Sequence, residues 1–302
     1  MLHTAATKPL SAALFMVGAM LIIGGIDNVI VLVAQEIGLW QFHFTRALTA
    51  LPMVIVLSLI GLGTLWPRRW WAVALRSGLV ALSMLFYFSA LALMPIAQAL
   101  AGLFTSPIFI LIITVLVLGQ PIGRWRILAV ALGFLGILMV LQVDPRTFSW
   151  LTVLPVAGGF FYALGAISTR TFCAGESTVS MLAGLLVMLG SLGALGLLTL
   201  HLWPMESAAG PAGFVTRGWV WPMPQASPFV LLQAVGSVAG VFMIIKAYQL
   251  GEPSYVAVFE YSVMIFGPLY AFVLFGQTLS IGQLAGIALI MLAGMVIALR
   301  AR

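Results

Sequence analysis

Lys246-Ala-Tyr-Gln-Leu-Gly-Glu-Pro-Ser-Tyr255 opens onto Val256-Ala-Val-Phe-Glu260-Tyr-Ser-Val-Met-Ile-Phe-Gly-Pro268, and the apolar run closes at Phe275-Gly-Gln277. This stretch is long enough to cross a bilayer. Its apolar run carries a carboxylate, Glu260, and is interrupted by a Gly-Pro pair. An ionisable group beside a break inside a membrane span marks a functional site by default. The rest of the chain has to say what surrounds it.

Of 302 residues, 63% are hydrophobic and 7% charged, against roughly 25% charged in a soluble domain. No soluble core hides that much apolar surface, so the chain reads as a polytopic membrane protein. The net charge of +6 is spread along the chain, which excludes the clustered patch that nucleic-acid binding needs. The single Cys173 rules out an internal disulfide, and His3, His43 and His201 lack metal-ligand spacing. The apolar stretch after Lys8 is too long for a signal-peptide core and reads as a first span that is retained.

A bilayer core of about 30 Å takes roughly 20 apolar residues per helix. Cutting the sequence at Gly, Pro and charge clusters gives ten spans, at about 10–33, 39–61, 70–93, 95–118, 124–142, 149–169, 178–203, 227–248, 253–275 and 280–299. With the N-terminus inside the cell, Lys8, Arg68, Arg69, Arg76, Arg124, Arg126, Arg170, Lys246, Arg300 and Arg302 fall near the cytoplasmic side. Only Arg46, Arg146 and Arg217 then lie outward. That bias places both termini in the cytoplasm and the long 204–226 link outside, with Trp203, Trp219 and Trp221 at headgroup level.

An internal repeat organises these spans. Ala92-Leu-Met-Pro95 leads into the fourth span, and Leu118-Gly-Gln-Pro121 leads into Gly133-Phe-Leu-Gly136. Leu250-Gly-Glu-Pro253 and Phe275-Gly-Gln-Thr278, followed by Leu292-Ala-Gly-Met295, restate the pattern in the second half. An odd number of spans per half forces the halves into opposite orientations. The expected fold is therefore all-α, with ten transmembrane helices in two inverted five-helix repeats, 1–147 and 148–302, around a central cavity. Breaks are expected at Pro107 and at Gly267-Pro268, as hinges about which spans 3–4 and 8–9 rock.

The Gly-Gln junctions, the Gly-x-x-Gly and Ala-Gly final spans, the Pro-led fourth and ninth spans, and Phe-Thr-Arg46 resemble the drug/metabolite transporter superfamily. More narrowly they resemble its ten-helix EamA-type branch, and within it the YddG-type bacterial exporters of aromatic and other apolar amino acids. The resemblance covers nearly the whole chain and rests on the order and repetition of degenerate motifs. It implies metabolite export and a gating or structural role for Arg46. Gln120 and Gln277 stand where that branch commonly has Glu, which leaves any role of that acid without a carrier here.

Candidate site residues are polar or aromatic side chains aligned with small ones. Ser83 and Tyr87 share a face of span 3. Gln98, Gly102 and Thr105 do so in span 4, Gly158, Tyr162, Gly165 and Thr169 in span 6, and Gln233, Ser237, Gly240 and Tyr248 in span 8. Asn28, Ser83, Tyr87, Gln98, Phe161, Tyr162, Tyr248, Tyr255, Phe259 and Glu260 are the expected substrate contacts. Glu260 lies about 10 Å into its span and either meets a substrate ammonium, carries a proton, or is a structural acid. Lys246 is a candidate partner for Glu260 or anchor for a substrate carboxylate, but it points away from the polar stripe of span 8 and reads first as a snorkelling cation. Asp27 and Asn28 cannot face the same way on one helix, so Asn28 is assigned to the cavity and Asp27 to a neighbouring span. His43 and Arg46 read first as interface anchors. The Gly236-x-x-x-Gly240 and Gly282-x-x-x-Gly286 pairs read as packing within a monomer.

The leading function is alternating-access export of amino acids, with no cofactor, a small-molecule substrate and the bilayer as partners. Export of drugs or quaternary cations is the alternative, since Glu260 and the tyrosines supply the elements of a cation box. An ATP-driven pump is excluded by the lack of a P-loop. An enzyme lacks any supporting motif.

Overall fold

The computed structural model describes residues 8–94, 96–142, 146, 150–276 and 278–300, with the side chains of 91–93, 96–98, 150, 271, 274 and 275 outside that description. The expected boundary at 147/148 and the side chain of Gln98 lie outside the described residues. All regular structure within them is helical: α1 (Pro9–Asp27), α2 (Ile30–Glu36), α3 (Leu39–Leu59), α4 (Trp70–Leu93), α5 (Ile96–Leu103), α6 (Ser106–Leu116), α7 (Arg124–Leu141), α8 (Val153–Thr171), α9 (Thr178–Leu202), α10 (Ala226–Leu250), α11 (Pro253–Glu260), α12 (Val263–Phe275) and α13 (Ile281–Arg300), with short 3₁₀ turns at Trp150–Thr152 and Gly210–Gly213. Eight stretches are long and apolar enough to cross a membrane, two of them formed by the pairs α1–α2 and α5–α6. With α8 and the broken α11–α12 pair they make up the ten spans.

Packing repeats with the sequence. α4 lies on α8 and α1 lies on α10. α3 pairs with α9 and α7 with α13. α4 also meets α9, as α10 meets α3, and α5–α6 cover α8 as α11–α12 cover α1. Advancing every span by five positions maps this set of neighbours onto itself, as two homologous halves of opposite orientation require.

The breaks in the fourth and ninth spans are also twins, but not at the prolines. Pro107 sits in the first turn of α6, where its missing N–H costs nothing. Pro268 lies inside α12 and breaks nothing there. The chain parts at Thr105 and at Ser262. The Thr105 hydroxyl donates to Gly102 O at 2.6 Å, and the Ser262 hydroxyl donates to Phe259 O at 2.7 Å. In each case the backbone N–H of the same residue points to the same carbonyl, at 3.2 Å. Both donors of one residue therefore converge on the carbonyl three positions back, which tightens the turn and diverts it from the α-helical ladder. Small residues let neighbours approach these turns: a Cβ on Gly159 would stand 2.7 Å from Thr105 Oγ1 and 2.8 Å from Leu103 O. The helix breaks expected at Pro107 and at Gly267-Pro268 thus fall instead at Thr105 and Ser262. Hydroxyl side chains, not proline rings, terminate α5 and α11.

The 204–226 link is pinned over one end of the bundle. Arg217 donates to Ala34 O, Ile37 O, Ala208 O and Gly210 O, at 2.6–3.2 Å. Gln41 exchanges two hydrogen bonds with Val220, and Glu36 accepts from Ala226 N at the start of α10. We call this the link end; the opposite end, which carries Lys8, Arg68, Arg69 and Arg126, is the basic end.

Candidate functional site

Two contiguous cavities occupy the space between the halves. The outer one, about 570 Å³, is lined toward the link end by Ala34, Pro211, Phe214, Thr278 and Gln283 and reaches inward to Asp27 and Tyr87. The inner one, about 150 Å³, begins at Asp27 and Tyr87 and continues to Tyr162, Tyr248 and Glu260. Gly267 and Pro268 line the outer cavity. The absent side chain at Gly267 leaves open space there.

The inner cavity is polar at both ends. At the basic-end pole, Glu260 is 2% exposed. Its Oε1 accepts from the Tyr248 hydroxyl at 2.5 Å and from the Tyr162 hydroxyl at 2.9 Å. Both tyrosines thus hold the same oxygen, and Oε2 has no hydrogen-bond partner among the described residues. Arg76 forms part of this pole. It is buried in α4, with Nε on Thr169 Oγ1 at 3.2 Å.

At the link-end pole stand Asp27 and Arg46. They share the inner cavity and are each other's main charged neighbour, yet they do not form an ion pair. The Arg46 guanidinium lies over the Phe42 ring, 4.8 Å from its centroid, and meets His43 Nδ1 at 3.2 Å. Arg46 Nε and His43 Nε2 are buried without a partner. Arg46 is seven residues into α3 and Glu260 seven into α11, from opposite faces. At 1.5 Å per residue each pole is about 10 Å deep, which leaves about 10 Å between them in a 30 Å core. The charges balance formally, two acids against two arginines.

The structure brings together Asp27, Arg46, Tyr87, Tyr162, Tyr248 and Glu260 from the expected set, and places Asn28 on the outer cavity, where its Nδ2 donates to Gly24 O. Asp27 and Asn28 both face the cavity because α1 ends between them and α2. A 100° rotation per residue does not apply at a break. His43 and Arg46 are buried, not interface anchors. Ser83, Phe161, Tyr255 and Phe259 line neither cavity. Ser83 is fully buried, Phe161 stacks on Phe86, and Tyr255 packs on Phe259. Lys246 lies at a separate surface pocket of the basic end.

Arg76, Gln233 and Ser237 complete the lining. Arg76 was legible: it is seven residues before Ser83 and eleven before Tyr87, on the same helical face. Read only as a topology charge, it was set aside.

Polar contacts join the spans at the basic end. Arg126 forms an ion pair with Glu252 and donates to Ser254 Oγ at 2.9 Å, and Arg170 donates to Gln249 O at 2.6 Å. Arg126 and Glu252 are 22% and 47% exposed, so the pair contributes only about 0.2–1 kcal/mol. Arg126→Gln is accordingly expected to raise the population open at this end by about fivefold at most. A Cys placed at Ala166, on the inner cavity, should be alkylated from the basic end correspondingly faster. An unchanged rate would remove this pair from the gate.

Residues 10–142 match the model of the EamA-like transporter family. A riboflavin transporter of Rhizobium johnstonii is 28% identical over 258 residues, covering 85% of this chain and 78% of the relative. A riboflavin transporter of Vibrio cholerae is 28% identical over 278 residues, covering 89% and 86%. An S-adenosylmethionine uptake transporter of Rickettsia conorii is 23% identical over 246 residues, covering 80% and 75%. A solved crystal structure superposes with a TM-score of 0.77 at 20% identity, over 97% of this chain and 98% of that one, and shows the shared fold.

Proposed function

We propose that this chain, a membrane transporter related to the EamA-like family, carries a planar heteroaromatic solute with a polar tail, of the flavin class, by alternating access into a bacterial cell. The observation that carries this reading is the two-poled cavity. Aromatic walls lie between an Asp27/Arg46 pole and a Glu260/Tyr162/Tyr248 pole, and the adjoining volume lies within the range that encloses ligands of several hundred daltons. A flavin-type ring offers an apolar face to Tyr87 and imide N–H and carbonyl groups to the poles. A relative named as a riboflavin transporter supports the substrate class, and one named as an S-adenosylmethionine uptake transporter supports the inward direction. The basic-end charges support cytoplasmic termini and an external link.

Amino-acid export, the reading from sequence, is the second hypothesis. The free oxygen of Glu260 suits an ammonium group, and Arg46 suits a carboxylate. A quaternary cation is disfavoured because Arg46 and Arg76 offset the two acids.

The test is binding to the purified protein followed by flavin fluorescence. Saturable quenching by riboflavin, not displaced by millimolar phenylalanine or tetraethylammonium, is expected. Saturable binding of apolar amino acids with none of riboflavin would replace this reading by the second.

A further inference from the structure

Lys246 takes no part in the central cavity, and its surroundings give it a different use. It lines a pocket of about 440 Å³ at the basic end, formed where the turn after α3 meets the starts of α9 and the last turn of α10. Thr64, Arg68, Glu176, Ser177 and Gln249 share the lining.

The Glu176, Ser177 and Gln249 side-chain oxygens of that lining already accept hydrogen bonds. The Glu176 carboxylate accepts from Arg68 N at 2.9 Å and from Arg69 N at 2.8 Å. Ser177 Oγ accepts from Thr64 N and Val179 N. Gln249 accepts from Thr178 Oγ1 and donates to Glu176 O. Two cations, Arg68 and Lys246, stand against the one carboxylate of Glu176, which leaves the pocket a net positive charge. The Arg68 guanidinium and the Lys246 ammonium have no hydrogen bond or ion pair among the described residues.

The pocket also has a depth. Lys246 is four residues before the end of α10, about 6 Å below it. Trp66 and Trp70, 75% and 61% exposed, flank Arg68 with ring centroids 5.7 Å apart, and exposed tryptophans collect at the headgroup level. A basic pocket between spans at this level is the arrangement that binds anionic headgroups.

We propose that this pocket binds a phosphate-ester anion between Arg68 and Lys246, as a site separate from the transport cavity. It stands whether or not the transported solute is a flavin. The phosphate arrives either on an anionic phospholipid or on a soluble ester, and both present the same group to the same cations.

The experiment uses delipidated full-length protein in zwitterionic detergent. Its melting temperature is titrated with short-chain phosphatidylglycerol, phosphatidylcholine of equal chain length, glycerol 3-phosphate and inorganic phosphate. Phosphatidylglycerol is expected to stabilise the wild type, and phosphatidylcholine is not. Its apparent affinity should fall about fivefold in Lys246→Gln or Arg68→Gln and about 25-fold in the double variant, with Lys246→Arg retaining most of it. Stabilisation by the lipid alone identifies a headgroup site, and stabilisation by the soluble esters that is lost in the same variants identifies a soluble ligand. Equal responses of wild type and double variant, equal responses to the two lipids, or no response of the wild type to any probe would each overturn the proposal. Arg68 lies outside the helices, so its variant remains informative if Lys246→Gln fails to fold.

Discussion

Glu260→Gln is expected to lower transport at least tenfold while the protein still folds. The amide keeps one oxygen to accept from Tyr162 and Tyr248 but puts an amide donor where the carboxyl has its unpartnered oxygen. A hydrogen bond to a charged group is worth about 1.5–3 kcal/mol, which corresponds to roughly 10- to 150-fold. Glu260→Ala goes further and orphans two buried hydroxyls, at about 1–3 kcal/mol each, so it should lose stability as well as flux. Tyr162→Phe and Tyr248→Phe each remove one bond and should cost about 3- to 10-fold. Their double variant should fall short of the product, because both donate to one oxygen. Solute flux in proteoliposomes beside a melting curve separates the two effects. Full flux in Glu260→Gln would make the residue a structural acid.

Gly286→Leu is expected to abolish folding. α7 and α13 meet at Gly136 and Gly286, and a Cβ on either would stand 2.7 or 2.6 Å from the carbonyl oxygen of the other. That neighbour is backbone and cannot rotate aside, so the two spans must part. Overpacking of a tight interface costs about 1–3 kcal/mol and sometimes more, and here the helix pair closes one whole flank of the bundle. Gly282→Leu is the control. Its Cβ would find only Ser280 Oγ, at 3.8 Å, and it should be tolerated. Size-exclusion profiles of fluorescent fusions read both outcomes, and a monodisperse Gly286→Leu protein would show that the helices pack otherwise. From sequence the two glycines of Gly282-x-x-x-Gly286 were equivalent; only the packing tells them apart.

The spans themselves were legible because lipid imposes a single demand, apolar length, on each. α4 and the start of α3 fall where hydropathy put them. What the sequence hid was local polar geometry. Proline is the loudest helix breaker in a single sequence, yet Pro107 and Pro268 are accommodated while Thr105 and Ser262 turn the chain through bonds to their own backbone. The break after Asp27 was hidden in the same way, which is why Asp27 and Asn28 were set on different faces. Of the candidate site, the stripe residues Tyr87, Tyr162 and Tyr248 were found by helical period alone. Phe161, Tyr255 and Phe259 were chosen for chemistry rather than face, and they pack against other side chains. Arg46 and Arg76 were misread because an arginine near a span end ordinarily anchors at the interface; their burial is a tertiary fact.

The central claim is that one cavity, polar at Asp27/Arg46 and at Glu260, carries a flavin-class solute across the membrane. Its most direct test is riboflavin counterflow in proteoliposomes containing wild type, Arg46→Gln or Glu260→Gln. Saturable wild-type exchange, loss of at least tenfold in each variant, and no exchange of apolar amino acids are expected. Apolar amino-acid exchange without riboflavin exchange, or riboflavin exchange untouched by either substitution, would contradict it.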